Sequence, residues 1–196
     1  GSSQYHKYEG TQAVTNWPIT LESIAIADNT TQDGSSVALG NSADNDPGAV
    51  LYFSATGDNI RMWAQGTTGS SAIGISSSSY TASTVRYLSG NRDANTGNSR
   101  AYIDGGSTGS SSGTITAPSF DRLGIGVWMR TTNVTYLDGN VAVALLSNSV
   151  RSADFIKTKY NAYTNASFIT AGATEVGSSP STPLTYPPGQ VMFFIV

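Results

Sequence analysis

A chain of 196 residues, with a net charge of −3 and no cysteine, is long enough for one β-sandwich with a full core and short for two domains. Charged residues make up only 12%, against roughly 25% in an average soluble domain. No Lys/Arg cluster occurs, which argues against nucleic acid as a partner. No disulfide framework or thiolate metal site is available, and no apolar run approaches the ~20 residues that span a bilayer.

Along the chain, short alternating runs are separated by Gly, Asn, Asp and Ser, the pattern of many short strands. Strands are predicted over 20–27, 36–40, 50–54, 59–64, 72–76, 84–88, 99–103, 122–126, 140–147, 168–173 and 191–196. Asp104-Gly105 and Asp138-Gly139 tolerate positive φ and mark tight turns. The Gly-rich stretches 66–74 and 105–113 lack the Lys-Ser/Thr and helix of a phosphate loop, so they read as loops. One segment reads as helix: Ser152 is an N-cap, Asp154 lies in the first turn, and Lys157 and Lys159 lie towards its end. Phe155, Ile156 and Tyr160 would pack on the sandwich. After Glu175 the composition changes, so the expected organisation is a sandwich over 1–175, a Pro/Ser/Gly-rich linker over 176–189 and an apolar strand over 190–196. No secretory leader is read, and Gly1 is expected to be processed or a tag remnant.

Several of these segments resemble one family. Arg100-Ala101-Tyr102-Ile103-Asp104-Gly105-Gly106, Arg122-Leu123-Gly124-Ile125-Gly126 and the stretch from Asp138 through Ser147-Asn148-Ser149-Val150-Arg151-Ser152-Ala153-Asp154 to Tyr160-Asn161 are similar to the hairpin, glycine-containing strand and closing strand–helix of laminin-G-like domains. Those domains belong to the concanavalin A-like lectin/glucanase superfamily. The resemblance spans about 1–175, and its Ser/Thr/Gly-rich flavour looks like copies in phage and bacterial surface proteins. It implies an all-β fold, a two-sheet antiparallel jelly-roll sandwich with one short helix, on a virion surface or outside the cell. Two departures stand out. An acidic pair of many relatives falls on Ala142 and Val143, and the strand that relatives carry before the opening Gly-Ser-Ser-Gln-Tyr turn is expected to be absent, which would leave a sheet edge exposed.

Catalysis finds little support. The superfamily's glucanases place carboxylates on alternate residues of one strand, and Glu9, Glu22 and Glu175 form no such pattern. His6 is the only histidine. No cofactor is fixed by the sequence. Calcium is the ion the resemblance suggests, with Asp28, Asp33, Asp44 and Asp46 in oxygen-rich loops as candidate ligands, though Asp and Asn are also ordinary turn formers. A glycan would stack on an exposed aromatic beside polar partners. Tyr80, Tyr87, Arg92 and Asp93, near loops, are the candidates, whereas Trp63, Trp128 and Tyr136 read as core.

The terminal hexapeptide Val191-Met192-Phe193-Phe194-Ile195-Val196 would contribute about 10 kcal/mol if fully buried. It either completes its own sandwich or pairs with the edge of a neighbouring copy. The expectation is a non-enzymatic structural protein of a virion surface or extracellular assembly, associating with copies of itself through this strand. The alternative is a carbohydrate-binding, lectin-like module for adhesion.

Overall fold

Burial alternates along the strands with a period of two, most plainly in Asn59–Gln65, where Ile60, Met62 and Ala64 are buried and Asn59, Arg61, Trp63 and Gln65 are half-exposed. The computed structural model describes residues 5–10, 14–43, 48–67, 69–106, 108–116, 119–165 and 190–194. The strands are β1 (His6–Glu9), β2 (Ile19–Ala27), β3 (Gly34–Gly40), β4 (Gly48–Ser54), β5 (Asn59–Gln65), β6 (Ser71–Ser79) and β7 (Arg86–Arg92). They continue with β8 (Asn98–Ile103), β9 (Thr108–Ser112), β10 (Arg122–Ile125), β11 (Trp128–Met129), β12 (Asn133–Val134) and β13 (Gly139–Ser147). Helix α1 (Ala153–Thr164) and strand β14 (Gln190–Phe194) follow.

Hydrogen bonding runs in the order β1-β10-β3-β4-β5-β6-β9-β8-β7-β2-β13-β14, all antiparallel where paired. Strand β9 joins the first layer, β1-β10-β3-β4-β5-β6, to the second, β8-β7-β2-β13-β14, pairing Gly109 with Ile75 of β6 and Ser110 with Arg100 of β8. The fold is a two-sheet antiparallel jelly-roll sandwich with one short helix, all-β in class as expected. Between the layers, Leu21, Leu39, Leu51, Phe53, Ile60, Met62 and Leu88 are fully buried, each contributing roughly 1.5–3 kcal/mol.

Two glycines let a loop lie on the outside of the first layer. A Cβ at Gly40 would fall 1.7 Å from the Met129 carbonyl oxygen, and one at Gly48 would fall 2.7 Å from Cζ2 of Trp128. The short hairpin of β11 and β12 therefore settles directly on β3 and β4, which larger residues would prevent.

Ser152 caps α1 as expected, its Oγ accepting from the Phe155 N–H at 3.2 Å. Ile156 is buried against Tyr87 and Tyr102, with Tyr160 packed beside them. Phe155 faces out instead, 40% exposed, with the Arg151 guanidinium over its ring. Strands β1, β9, β11 and β12 are too polar or too short to announce themselves in the sequence. The predicted strand 168–173 and the linker 176–189 lie outside the described residues.

The backbone of β14 pairs with β13 of its own chain, Val191 opposite Leu146 and Phe194 opposite Val143. The terminal segment therefore has a partner edge within its own sandwich, the arrangement that competes with strand addition to a neighbouring copy. Ile195 and Val196 lie outside the described residues.

Candidate functional site

The outer face of the first layer is built from side chains that alternate away from the core. The register places Ala38, Val50, Trp63 and Ile73 in one row across β3 to β6, with Tyr52, Arg61 and Ile75 in the next. Trp128, carried by the hairpin laid over Gly48, meets Trp63 edge-to-face with ring centroids 4.4 Å apart. The Arg130 guanidinium covers the Trp128 ring at 4.1 Å. Trp128 is 7% exposed, while Trp63 and Tyr52 are half-buried.

These groups line a hollow of about 160 Å³, bounded by Asp33, Val50, Tyr52, Trp63, Ile73, Trp128 and Thr135. Its walls are aromatic and aliphatic, and its rim holds a carboxylate and a hydroxyl. Asp33 is exposed, and its Oδ1 accepts from the Ala55 N–H at 2.8 Å. Arg61 donates from Nε to Asn59 Oδ1 at 3.0 Å and from Nη2 to the Thr56 carbonyl at 2.9 Å. Burial pushes the Tyr52 phenol above its ordinary value; a hydrogen bond with Arg61 opposes this, and the charge of Asp33 adds to it. Thr135 has φ of +54°, a left-handed conformation that a β-branched residue adopts at a cost of about 1–3 kcal/mol and that clusters at functional sites. Its carbonyl accepts from the Ser35 N–H at 3.1 Å, which holds the rim against β3.

Three of the four glycan-binding candidates read from the sequence lie inside the protein, and this corrects the expectation. Tyr80 is 3% exposed, its ring edge-on to Phe53 in the core. Tyr87 is 4% exposed because α1 covers that face of the second layer, with Tyr160 and Tyr163 beside its ring. Its hydroxyl donates to Glu22 Oε2, and Lys159 from the helix reaches the same oxygen at 2.9 Å. Arg92 is fully buried and donates to the carbonyls of Gly97, Asn95 and Gly113 at 2.7, 2.8 and 2.6 Å. It pins a loop and has no face for a ligand.

Asp93, the fourth, lies at a wider trough of about 500 Å³ with Arg100, Tyr102, Val150, Arg151, Ser152 and Ala153. There it is paired with Arg100. Burial would raise its carboxyl, but the hydrogen bonds from Arg100 and Asn98 outweigh this and hold it below its ordinary value. Tyr102, the one aromatic among the described residues of that trough, is only 4% exposed, so they offer no open stacking ring there. The aromatic pair of the hollow, Trp63 and Trp128, escapes a reading of the sequence because a strand tryptophan usually packs inward. Which layer it faces is set by register, and only the fold reveals that.

Asp28 and Asp33, the calcium candidates among the described residues, do not come together in a cage. Asn29 Oδ1 already accepts from the Thr31 N–H and the Gln32 N–H, and Asp33 Oδ1 from the Ala55 N–H, so part of the loop's oxygen set is spent on backbone donors. Asp28 and Asp33 are both exposed at opposite ends of it, and Asp44 and Asp46 lie outside the described residues. Among the described residues no group of three or more His, Cys, Asp or Glu comes together, and no helix is long and apolar enough to cross a membrane.

No protein-family model matches the chain, and no curated protein matches it by sequence. Solved structures do match in fold. A CBM40 module of Ruminococcus gnavus IT-sialidase, bound to α2,3 sialyllactose, superposes with a TM-score of 0.60 at 15% identity, covering 80% of this chain and 98% of that one. A heptameric SAP-like pentraxin from Limulus polyphemus gives a TM-score of 0.64 at 11% identity, covering 97% of this chain and 88% of that one. NanB sialidase from Streptococcus pneumoniae gives 0.61 at 13% identity, over 79% of this chain and 27% of that one, so this chain spans little more than a quarter of the sialidase. The CBM40 module and the pentraxin are jelly-roll sandwiches, and at such identities the likeness carries the fold alone.

Proposed function

We propose that the chain is a carbohydrate-binding module without a catalytic centre, whose sugar sits in the hollow between Trp63, Trp128, Tyr52 and the Asp33–Thr135 rim. The observation that carries this is the pairing of half-exposed aromatic surface with a carboxylate and a hydroxyl at one rim, the combination that grips a sugar by its apolar face and its hydroxyls. The fold likeness to a CBM40 module bound to sialyllactose supports the reading. Glu22, the buried glutamate among the described residues, is covered by α1 and held by Tyr87 and Lys159, so it offers no acid–base pair for glycoside cleavage. The sequence resemblance to laminin-G-like domains of phage and bacterial surface proteins supports a place outside the cell or on a virion surface, where glycans are met. The likenesses to sugar-binding modules favour this reading over a purely structural virion role.

The test is titration of the protein with a glycan panel, followed by tryptophan fluorescence. Binding that shifts the emission and is lost in Trp63→Ala, with the fold intact by circular dichroism, is expected. Binding that survives Trp63→Ala unchanged places the sugar elsewhere and removes the proposal.

A further inference from the structure

The charge around the hollow decides which sugars it admits. All ten Lys and Arg residues of the chain fall within the described residues, so no undescribed Lys or Arg can join the site. None of them lines it, and the one charged side chain that does, among the described residues, is the carboxylate of Asp33. The two nearest arginines by register and sequence are already engaged. Arg61 donates to Asn59 and Thr56 and hydrogen-bonds the Tyr52 phenol, and Arg130 lies over the Trp128 ring; both keep their charge, but neither guanidinium lines the hollow, where Asp33 does. Asp33 keeps Oδ2 for a ligand, since the Ala55 N–H is bonded to Oδ1. A carboxylate accepts hydrogen bonds and donates none while ionised, so it matches sugar hydroxyls and repels a sugar carboxylate.

Resting on the carbohydrate reading, we propose that this hollow selects a neutral hexopyranose and discriminates against acidic sugars, with the Asp33 carboxylate as the determinant. The ring stacks on the half-exposed Trp63 surface, a vicinal hydroxyl donates to Asp33, and the Thr135 hydroxyl bridges a neighbouring oxygen. The hollow's volume of about 160 Å³ admits one ring. This differs from what the fold likeness alone would suggest, because the CBM40 module was solved with a sialylated sugar.

The test follows the indole N–H signals of the protein's three tryptophans by NMR. The probes are the methyl glycosides of glucose, galactose, mannose and N-acetylglucosamine, and those of glucuronic, galacturonic and N-acetylneuraminic acid. At least one neutral glycoside should move the Trp63 and Trp128 signals, with every acidic glycoside binding about tenfold more weakly than that one. Asp33→Asn should narrow that gap. If an acidic glycoside binds as tightly as the best neutral one, or tighter, the selectivity is overturned while the carbohydrate reading stands. If Asp33→Asn leaves the gap unchanged, Asp33 is not the determinant and the proposal falls in the same way. If no glycoside of either kind moves these signals, the carbohydrate reading itself fails.

Discussion

Gly48 and Trp128 touch only because Gly48 has no side chain: a Cβ there would lie 2.7 Å from Cζ2 of the indole and 3.1 Å from its Nε1. One strand residue thus sets where one wall of the hollow stands. Gly48→Ala is expected to push the Trp128 ring off β4, separating it from Trp63, and to weaken sugar binding at least tenfold while costing about 1–3 kcal/mol of stability. A Gly48→Ala protein that binds as the wild type does would show that the indole's position is immaterial.

The two tryptophans should separate cleanly in their effects. Trp128 is nearly buried, so Trp128→Ala should destabilise by about 3–5 kcal/mol. Trp63 is half-buried and should cost clearly less when truncated, with its effect concentrated on binding. Urea unfolding beside ligand titration on both variants measures this. Equal losses of stability would argue that Trp63 is a packing residue.

Arg92 carries a different prediction. Its guanidinium is fully buried and ties three backbone carbonyls of two loops together. Burial lowers its pKa, and the nearby Asp93 charge opposes that. Arg92→Met fills similar space but removes the donor those carbonyls share, the Asn95 oxygen keeping only the Ile115 N–H, so a loss of about 3 kcal/mol is expected. An unchanged urea midpoint would mean that water replaces the side chain at no cost.

How much of this is legible in the sequence differs by element. The jelly roll is, because alternation in 20–27, 59–64 and 140–147 and the Asp-Gly turns at 104 and 138 are local signals. The helix is too, since Ser152 and Asp154 form a recognisable start. The binding face is not. Tyr87 and Trp63 both sit on strands and both alternate outward, and they differ only in what lies above them: α1 over Tyr87, open solvent beside Trp63. That covering is a long-range fact, invisible in either residue's neighbours. Arg92 misleads for a related reason, since a loop-edge arginine looks like a surface donor until three carbonyls converge on it.

The tyrosines set the response to alkali. Tyr87 is raised well above its ordinary value by burial first and then by the charge and hydrogen bond of Glu22. Burial also raises Tyr52, Tyr80, Tyr102 and Tyr163. Such groups stay protonated in the folded state after the unfolded chain has lost its protons. Their contribution is therefore fully present below about pH 10 and is lost as pH rises beyond it. Stability should fall steeply above about pH 10, and Tyr87→Phe should flatten that fall while costing about 1 kcal/mol near neutrality through its lost hydrogen bond to Glu22. Asp93 acts at the other end: its lowered pKa means that stability is lost as pH falls through the carboxylate range. A Tyr87→Phe variant with the same alkaline profile as the wild type would assign the effect to the other four rings.

The terminal strand decides between a closed sandwich and an exchanged one. In the single chain, β14 satisfies the backbone edge of β13 from Val143 to Ser147, and an edge left bare is a template for pairing with another chain. A chain ending at Gly189 should therefore unfold at lower urea and, at raised concentration, associate more than the intact chain, by light scattering. Adding a synthetic peptide of residues 190–196 should restore the midpoint, because the peptide would refill the same edge. If instead the intact chain forms defined oligomers and the shortened one is a folded monomer, the strand serves a neighbouring copy, and assembly becomes the principal role of that segment.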